Sequence, residues 1–228
     1  MGLNSDDPIN FIKHLLESKS TAKQTAYKHV SKAFSVLLDE SKAVVEDLKQ
    51  RVKSTDKDVT VEFTGINAFE FDVKLAGDML MFVMGTNIVT LEESHPIMDE
   101  AYIRENDVNR YFGQIMVYNF MAESLKYNRS HDPGYLLARL MVNHENRFFI
   151  EGDKELEVYN RISQNALSED DLQRMVRIVL KMAIENDLVA PPFTEVKSIT
   201  LNQKRDHIME LGGEKIGFRM SYEPRTEG

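Results

Sequence analysis

The run from Val59 to Leu91, VTVEFTGINAFEFDVKLAGDMLMFVMGTNIVTL, constrains this chain more than any other stretch. Val59, Val61 and Phe63 alternate with Thr60, Glu62 and Thr64, the period of two that marks a strand with one wet face. Gly65-Ile66-Asn67 offers a turn, since Gly and Asn tolerate positive φ. Phe69, Phe71, Val73 and Leu75 then alternate with Glu70, Asp72 and Lys74, and Ala76-Gly77-Asp78 turns the chain again. Met79 to Met84 is continuously apolar, which predicts a strand covered on both faces. Gly85-Thr86-Asn87 leads to a fourth short strand, Ile88 to Leu91. Connections this short permit only antiparallel neighbours, so the run predicts a meander.

Helical patterns flank it. Asp7-Pro8 is a start signal, with Asp7 as N-cap and Pro8 in the first turn. Ile9, Ile12, Leu15 and Leu16 give an apolar face, and Ser18 to Ser20 is expected to break the helix. A longer helix is expected from Thr21 to Val52. Val30, Phe34, Leu37, Ser41, Val44 and Leu48 follow steps of four and three, a heptad-like seam interrupted by Ser41. Such a seam can pack on its own sheet or pair with a second subunit, so Phe34, Leu37, Val44 and Leu48 are candidate interface residues.

Further along, a short helix is expected near Ile97 to Arg104. Tyr111 to Met121 is ambiguous: its length and its Ile, Val, Tyr and Phe content favour a buried strand, the reading chosen, while the spacing of Val108, Phe112, Ile115 and Asn119 allows a helix. Ser130 to Gly134 is a turn cluster. Tyr135 to Val142 and Arg147 to Ile150 are expected to form a hairpin across Asn143 to Asn146. Asp153 is an N-cap candidate for a short helix. Ser168 to Asp171 resembles a capping box ahead of an amphipathic stripe, Leu172, Met175, Val176, Val179, Leu180 and Ala183. After Pro191-Pro192, a helix from Thr200 to Gly212 and a last strand through Ile216, Phe218, Met220 and Tyr222 are expected.

Composition narrows the chemistry. There is no cysteine among the 228 residues, which excludes disulfides, thiolate catalysis and cysteine-held metals. A net charge of −9 and a pI near 5.2 argue against broad nucleic-acid binding. No apolar run reaches membrane-span length, and the N-terminus lacks a secretory signal pattern, so a cytoplasmic protein is expected. Charge is segregated. Five lysines between Lys13 and Lys32 face one glutamate, a balance of +4; six acids between Glu92 and Asp107 face one arginine, a balance of −5. Two solvated faces explain this most simply; electrostatic docking of a partner is the functional reading.

Two constellations could carry chemistry. Glu70, Asp72 and Lys74 share one face of a strand, because alternate residues do. Two carboxylates and an ammonium so placed could hold a divalent ion and water, making them candidate catalytic residues of a metal-dependent phosphoester or nucleic-acid hydrolase. A solvated polar face is the commoner meaning of so short a motif. Arg139 stands in an otherwise apolar strand, where Leu137, Arg139 and Met141 share a face, and it must pair or reach water. A structural ion pair is the plain reading. A site for a small anionic ligand, rimmed by Tyr127, Arg129 and His131, is the other. The six histidines show no metal-ligand spacing, and neither a phosphate-binding Gly loop nor a nucleophile elbow is present. No metal or cofactor is expected.

The sequence therefore predicts an α+β protein: one domain over 1–228, an antiparallel meander with long N- and C-terminal helices packed against it. It subdivides into a helical segment 1–53, a sheet 54–152, and a helical segment 153–228 with a returning strand. The outline is similar to that of acidic cytosolic secretion chaperones and related small dimers, a likeness of fold that assigns no function. A homodimeric, non-enzymatic protein-binding or adaptor module is the leading expectation.

Overall fold

A computed structural model describes residues 7–53, 56–130, 132–152, 154–189 and 214–215. Helix α1 spans Pro8–Leu15, and its N-cap forms as the sequence requires, with the Ile9 N–H donating to Asp7 Oδ1 at 2.9 Å. The serines do not break the helix. Leu16–Ser20 forms a π turn instead, and α2 continues over Thr21–Arg51. Ser18 and Thr21 donate back to the carbonyls of His14 and Leu16, so these hydroxyls satisfy the loosened turn without ending it.

The meander follows as β1 (Val61–Asn67), β2 (Glu70–Leu75) and β3 (Asp78–Met84). The first turn lies two to three residues later than expected. Gly65 and Asn67 stay in β1 as a bulge, and the chain reverses at Ala68-Phe69. Residues 85–111 contain only an isolated bridge, Val89 to Phe112, where a fourth strand was expected. They also hold two single 3₁₀ turns, Pro96–Asp99 and Asp107–Arg110, and the short α3, Ala101–Glu105. Strand β4 (Phe112–Met121) confirms the strand reading of this apolar stretch. Then come α4 (Ala122–Lys126), β5 (Tyr135–Asn143), β6 (Phe148–Gly152), a 3₁₀ turn (Lys154–Tyr159) and α5 (Glu169–Glu185). A small two-stranded pair joins β7 (Leu188–Val189) to β8 (Glu214–Lys215). The expected cap at Asp153, the helix from Thr200 and the strand from Ile216 to Tyr222 lie outside the described residues.

The six strands form one antiparallel sheet in the order β1-β2-β3-β4-β5-β6, so the protein is α+β as the sequence predicts. Helices α2 and α5 lie together on one face. Their buried residues, including Val30, Phe34, Leu37, Met175, Val176 and Val179, join Phe71, Val73, Phe82, Val117, Leu140 and Ile150 in one core. Phe71 stacks on Phe82 at 4.5 Å between ring centroids and touches Phe34 at 5.3 Å. The α5 capping box forms in full: Asp171 N–H donates to Ser168 Oγ, and Ser168 N–H to Asp171 Oδ2 at 3.1 Å.

The candidate interface residues fall inside this core. Phe34 and Leu37 are buried, and Val44 and Leu48 pack partly buried against the same cluster, so of the two readings of this seam the structure shows packing on the chain's own sheet.

The other face is covered unevenly. Ile97, Met98 and Ile103 from the 85–111 segment pack with Phe112, Met141, Phe149 and Ile162 over β4, β5 and β6. Over β2, β3 and the far half of β4, Met79, Met81, Val83, Met116, Tyr118 and Phe120 remain half-exposed and belong to neither core cluster. The expectation that Met79 to Met84 is covered on both faces is therefore corrected: only Leu80, Phe82 and Met84 are buried.

Candidate functional site

Strand pairing sets what the open face presents. Thr64, Asp72, Met81 and Tyr118 lie in one cross-strand row, and Glu70, Val83, Met116, Arg139 and Glu151 in the next. Alternation puts Glu70, Asp72 and Lys74 together on this face, as the sequence requires. Their environments differ, however. Lys74 reaches toward Glu62 on β1 at 3.7 Å, a loose surface pair. Asp72 sits among the methionines with Oδ1 buried and without a hydrogen-bond partner. Burial, and then the charge of Glu70, push its carboxyl up to about 6. Among the described residues, no group of three or more His, Cys, Asp or Glu is arranged to hold a metal ion.

Arg139 is committed elsewhere. It donates to Glu151 Oε2 on β6, while His95 Nε2 lies 2.9 Å from Glu151 Oε1. The Ile97 N–H points at His95 Nδ1 at 3.2 Å, and an imidazole accepting there carries its proton on Nε2, toward the carboxylate. Both oxygens of Glu151 and both ring nitrogens of His95 are thus used. Burial pushes the Glu151 carboxyl up, but the bond and charge of Arg139, helped by His95, outweigh it and hold the group below its ordinary range. This network walls one side of an open cleft of about 670 Å³, lined also by Pro96, Asp99, Glu100, Glu157, Asn160 and Arg161. Its acids are unsuited to an anionic ligand.

The rim expected around Arg139 is occupied in the same way. Arg129 Nε lies 2.8 Å from Asp132 Oδ2, Tyr127 is 57% exposed beside Lys126, and His131 lies outside the described residues. In the original alternation Leu137 shared a face with Arg139. A bulge between the Val117 and Tyr118 pairings turns Leu137 into the core beside Ala138 instead, and Leu136 is left 40% exposed.

A second polar group, absent from the sequence reading, lies at the other end of β5. Asn143 donates to Tyr102 Oη at 2.8 Å, Tyr102 Oη donates to Glu145, and His144 Nε2 contacts Asn109 Oδ1 at 2.9 Å. Burial drives Tyr102 up to about 12 and lowers His144. These groups pin the 85–111 segment to the β5–β6 turn.

No helix among the described residues is long and apolar enough to cross a membrane. No family model matches the chain, and neither a curated protein nor a solved structure does.

Proposed function

We propose that the protein is a non-enzymatic protein-binding or adaptor module that works as a homodimer. The open half of the sheet carries this reading. Met79, Met81, Val83, Met116, Tyr118 and Phe120 form a contiguous half-exposed apolar field, and such fields mark interaction surfaces. Methionine suits the role because its flexible thioether adapts to different partners. The polar groups nearby are poorly placed for turnover: Asp72 is partly buried with one oxygen unpartnered, Lys74 leans toward Glu62, and Arg139 is neutralised by Glu151.

The experiment pairs partner binding with an activity screen. A partner chain bound by the native protein should be lost from a Met81→Glu, Met116→Glu variant whose melting curve is unchanged. Nucleic acids and phosphoesters incubated with magnesium should stay intact. Cleavage that disappears in Asp72→Asn would instead make the protein a metal-dependent hydrolase using Glu70, Asp72 and Lys74.

A further inference from the structure

Two apolar surfaces of this chain are left partly or fully exposed among the described residues. One is the open half of the sheet. The other is α1 and the π turn after it, where Ile9, Phe11, Ile12, Leu15 and Leu16 are all exposed, from 36% to 71%. At about 100° per residue these five fall on one side of the helix, and Asn10, Lys13, His14 and Glu17 fall on the other. The first buried residue of the long helix is Ala22. No residue of α1 or the π turn before it is buried, and the nearest ring contacts are Lys19 and Lys23 over Tyr111, just ahead of β4.

We infer that the open sheet face is covered by α1 of a second copy, in a reciprocal two-fold exchange. This inference rests on reading that face as a protein-binding surface, and it names the occupant.

The chain cannot cover its own open face with α1. The backbone is helical from Pro8 through the π turn to Arg51, and α2 lies on the opposite face of the sheet. Reaching round would require that helix to break. A second copy meets no such obstacle. Each overhang leaves on the α2 side of its own sheet, beyond the sheet's end. A second sheet can lie under it with its open face toward the helix, and a two-fold axis then places the second overhang under the first sheet. The contact closes after two copies.

The two surfaces also match. Pro8 to Ser20 is 13 residues by the spans of α1 and the π turn, about 20 Å of helix. Strand β3 has 7 residues, about 24 Å. A helix laid along β3 would therefore run nearly the length of the open field. An amphipathic helix on a methionine-lined surface is a recurrent mode of recognition. Charge agrees too: Lys13 borders the apolar side of α1 next to Ile9, and His14 borders it next to Phe11. The sheet offers Glu62, Glu70 and Asp72 against Lys74, with an oxygen of Asp72 lacking a partner.

The absence of cysteine permits a direct test on the full chain. An Ile12→Cys chain mixed with a Met81→Cys chain under mild oxidation should form a disulfide-linked dimer at least tenfold faster than either variant alone. Sedimentation at micromolar concentration should show a native dimer. Ile12→Glu, Leu16→Glu should be monomeric, as should Met81→Glu or, if that variant melts early, Met116→Glu. Mixing a helix variant with a sheet variant should restore a dimer through the one remaining intact contact. A monomeric native protein would overturn the exchange together with the homodimer. A dimer indifferent to Met81→Glu, or Ile12→Cys linking only to itself, would overturn the exchange alone and leave the homodimer standing.

Discussion

The two faces of β2, β3 and β4 are built from alternate residues of the same strands, yet they are held to different standards of fit. On the helix-covered face, Phe71 and Phe82 stack, Phe34 closes over them, and each is almost fully buried. A β carbon added at Gly113 would lie 2.7 Å from Val30 Cβ and closer still to Val30 Cγ1, so α2 is pressed onto bare backbone. On the open face the neighbours of those residues, Met79, Met81 and Met116, are flexible and half-exposed. Where a helix is permanently seated, shape is specified closely. Where no helix among the described residues is seated, the side chains are ones that can repack.

The largest expected effect separates the faces directly. Phe82→Ala should cost about 3–5 kcal/mol, because it empties the centre of the aromatic stack, whereas Met81→Ala, one residue away, should cost well under half of that. Urea denaturation of both variants measures the contrast, and equal losses would mean that Met81 is as deeply packed as Phe82. The next effect tests how tightly α2 sits. Gly113→Ala should destabilise by about 1–3 kcal/mol through overpacking against Val30, and a second change, Val30→Ala, should recover part of that loss. Full additivity of the two changes would place the helix farther from β4.

Much of the covered face was legible in the sequence. Alternation around Phe71 and Val73, the stripe from Leu172 to Ala183 and the Ser168 box are local signals, and the structure uses each of them. The open face was not legible, because an apolar run such as Met79 to Met84 states hydrophobicity and not what supplies the cover. The same limit hid the fate of Phe34 and Leu37, since a heptad-like seam reads alike whether a sheet or a second helix fills it. Arg139 shows a third limit. The expected turn, Asn143 to Asn146, would pair Val142 with Arg147; the observed partner is Phe148, and that slip of one residue brings Glu151 opposite Arg139. His95 reaches the pair from 56 residues away, a contact that no local pattern announces.

The smallest effect examines the polar member of the open face. The Asp72 carboxyl is pushed from 3.8 up to about 6 by burial and then by Glu70. Between those values the native protein holds a proton that the unfolded chain has released. Stability should therefore fall as pH rises through that window and level off above it. Since Asp72 is half-exposed, solvent screening limits the penalty at neutral pH to on the order of 1 kcal/mol. Asp72→Asn should remove that penalty, stabilising the protein at neutral pH and making little difference near the lower end of the window. The comparison belongs first in the Ile12→Glu, Leu16→Glu background, where no second copy supplies Lys13. In the proposed dimer a nearby Lys13 ammonium would favour the charged carboxylate, so the gain from Asp72→Asn should shrink. A gain of the same size in both backgrounds would remove Lys13 from the neighbourhood of Asp72. A gain absent from both would put the carboxylate in bulk water and erase the electrostatic difference between this face and an ordinary wet strand.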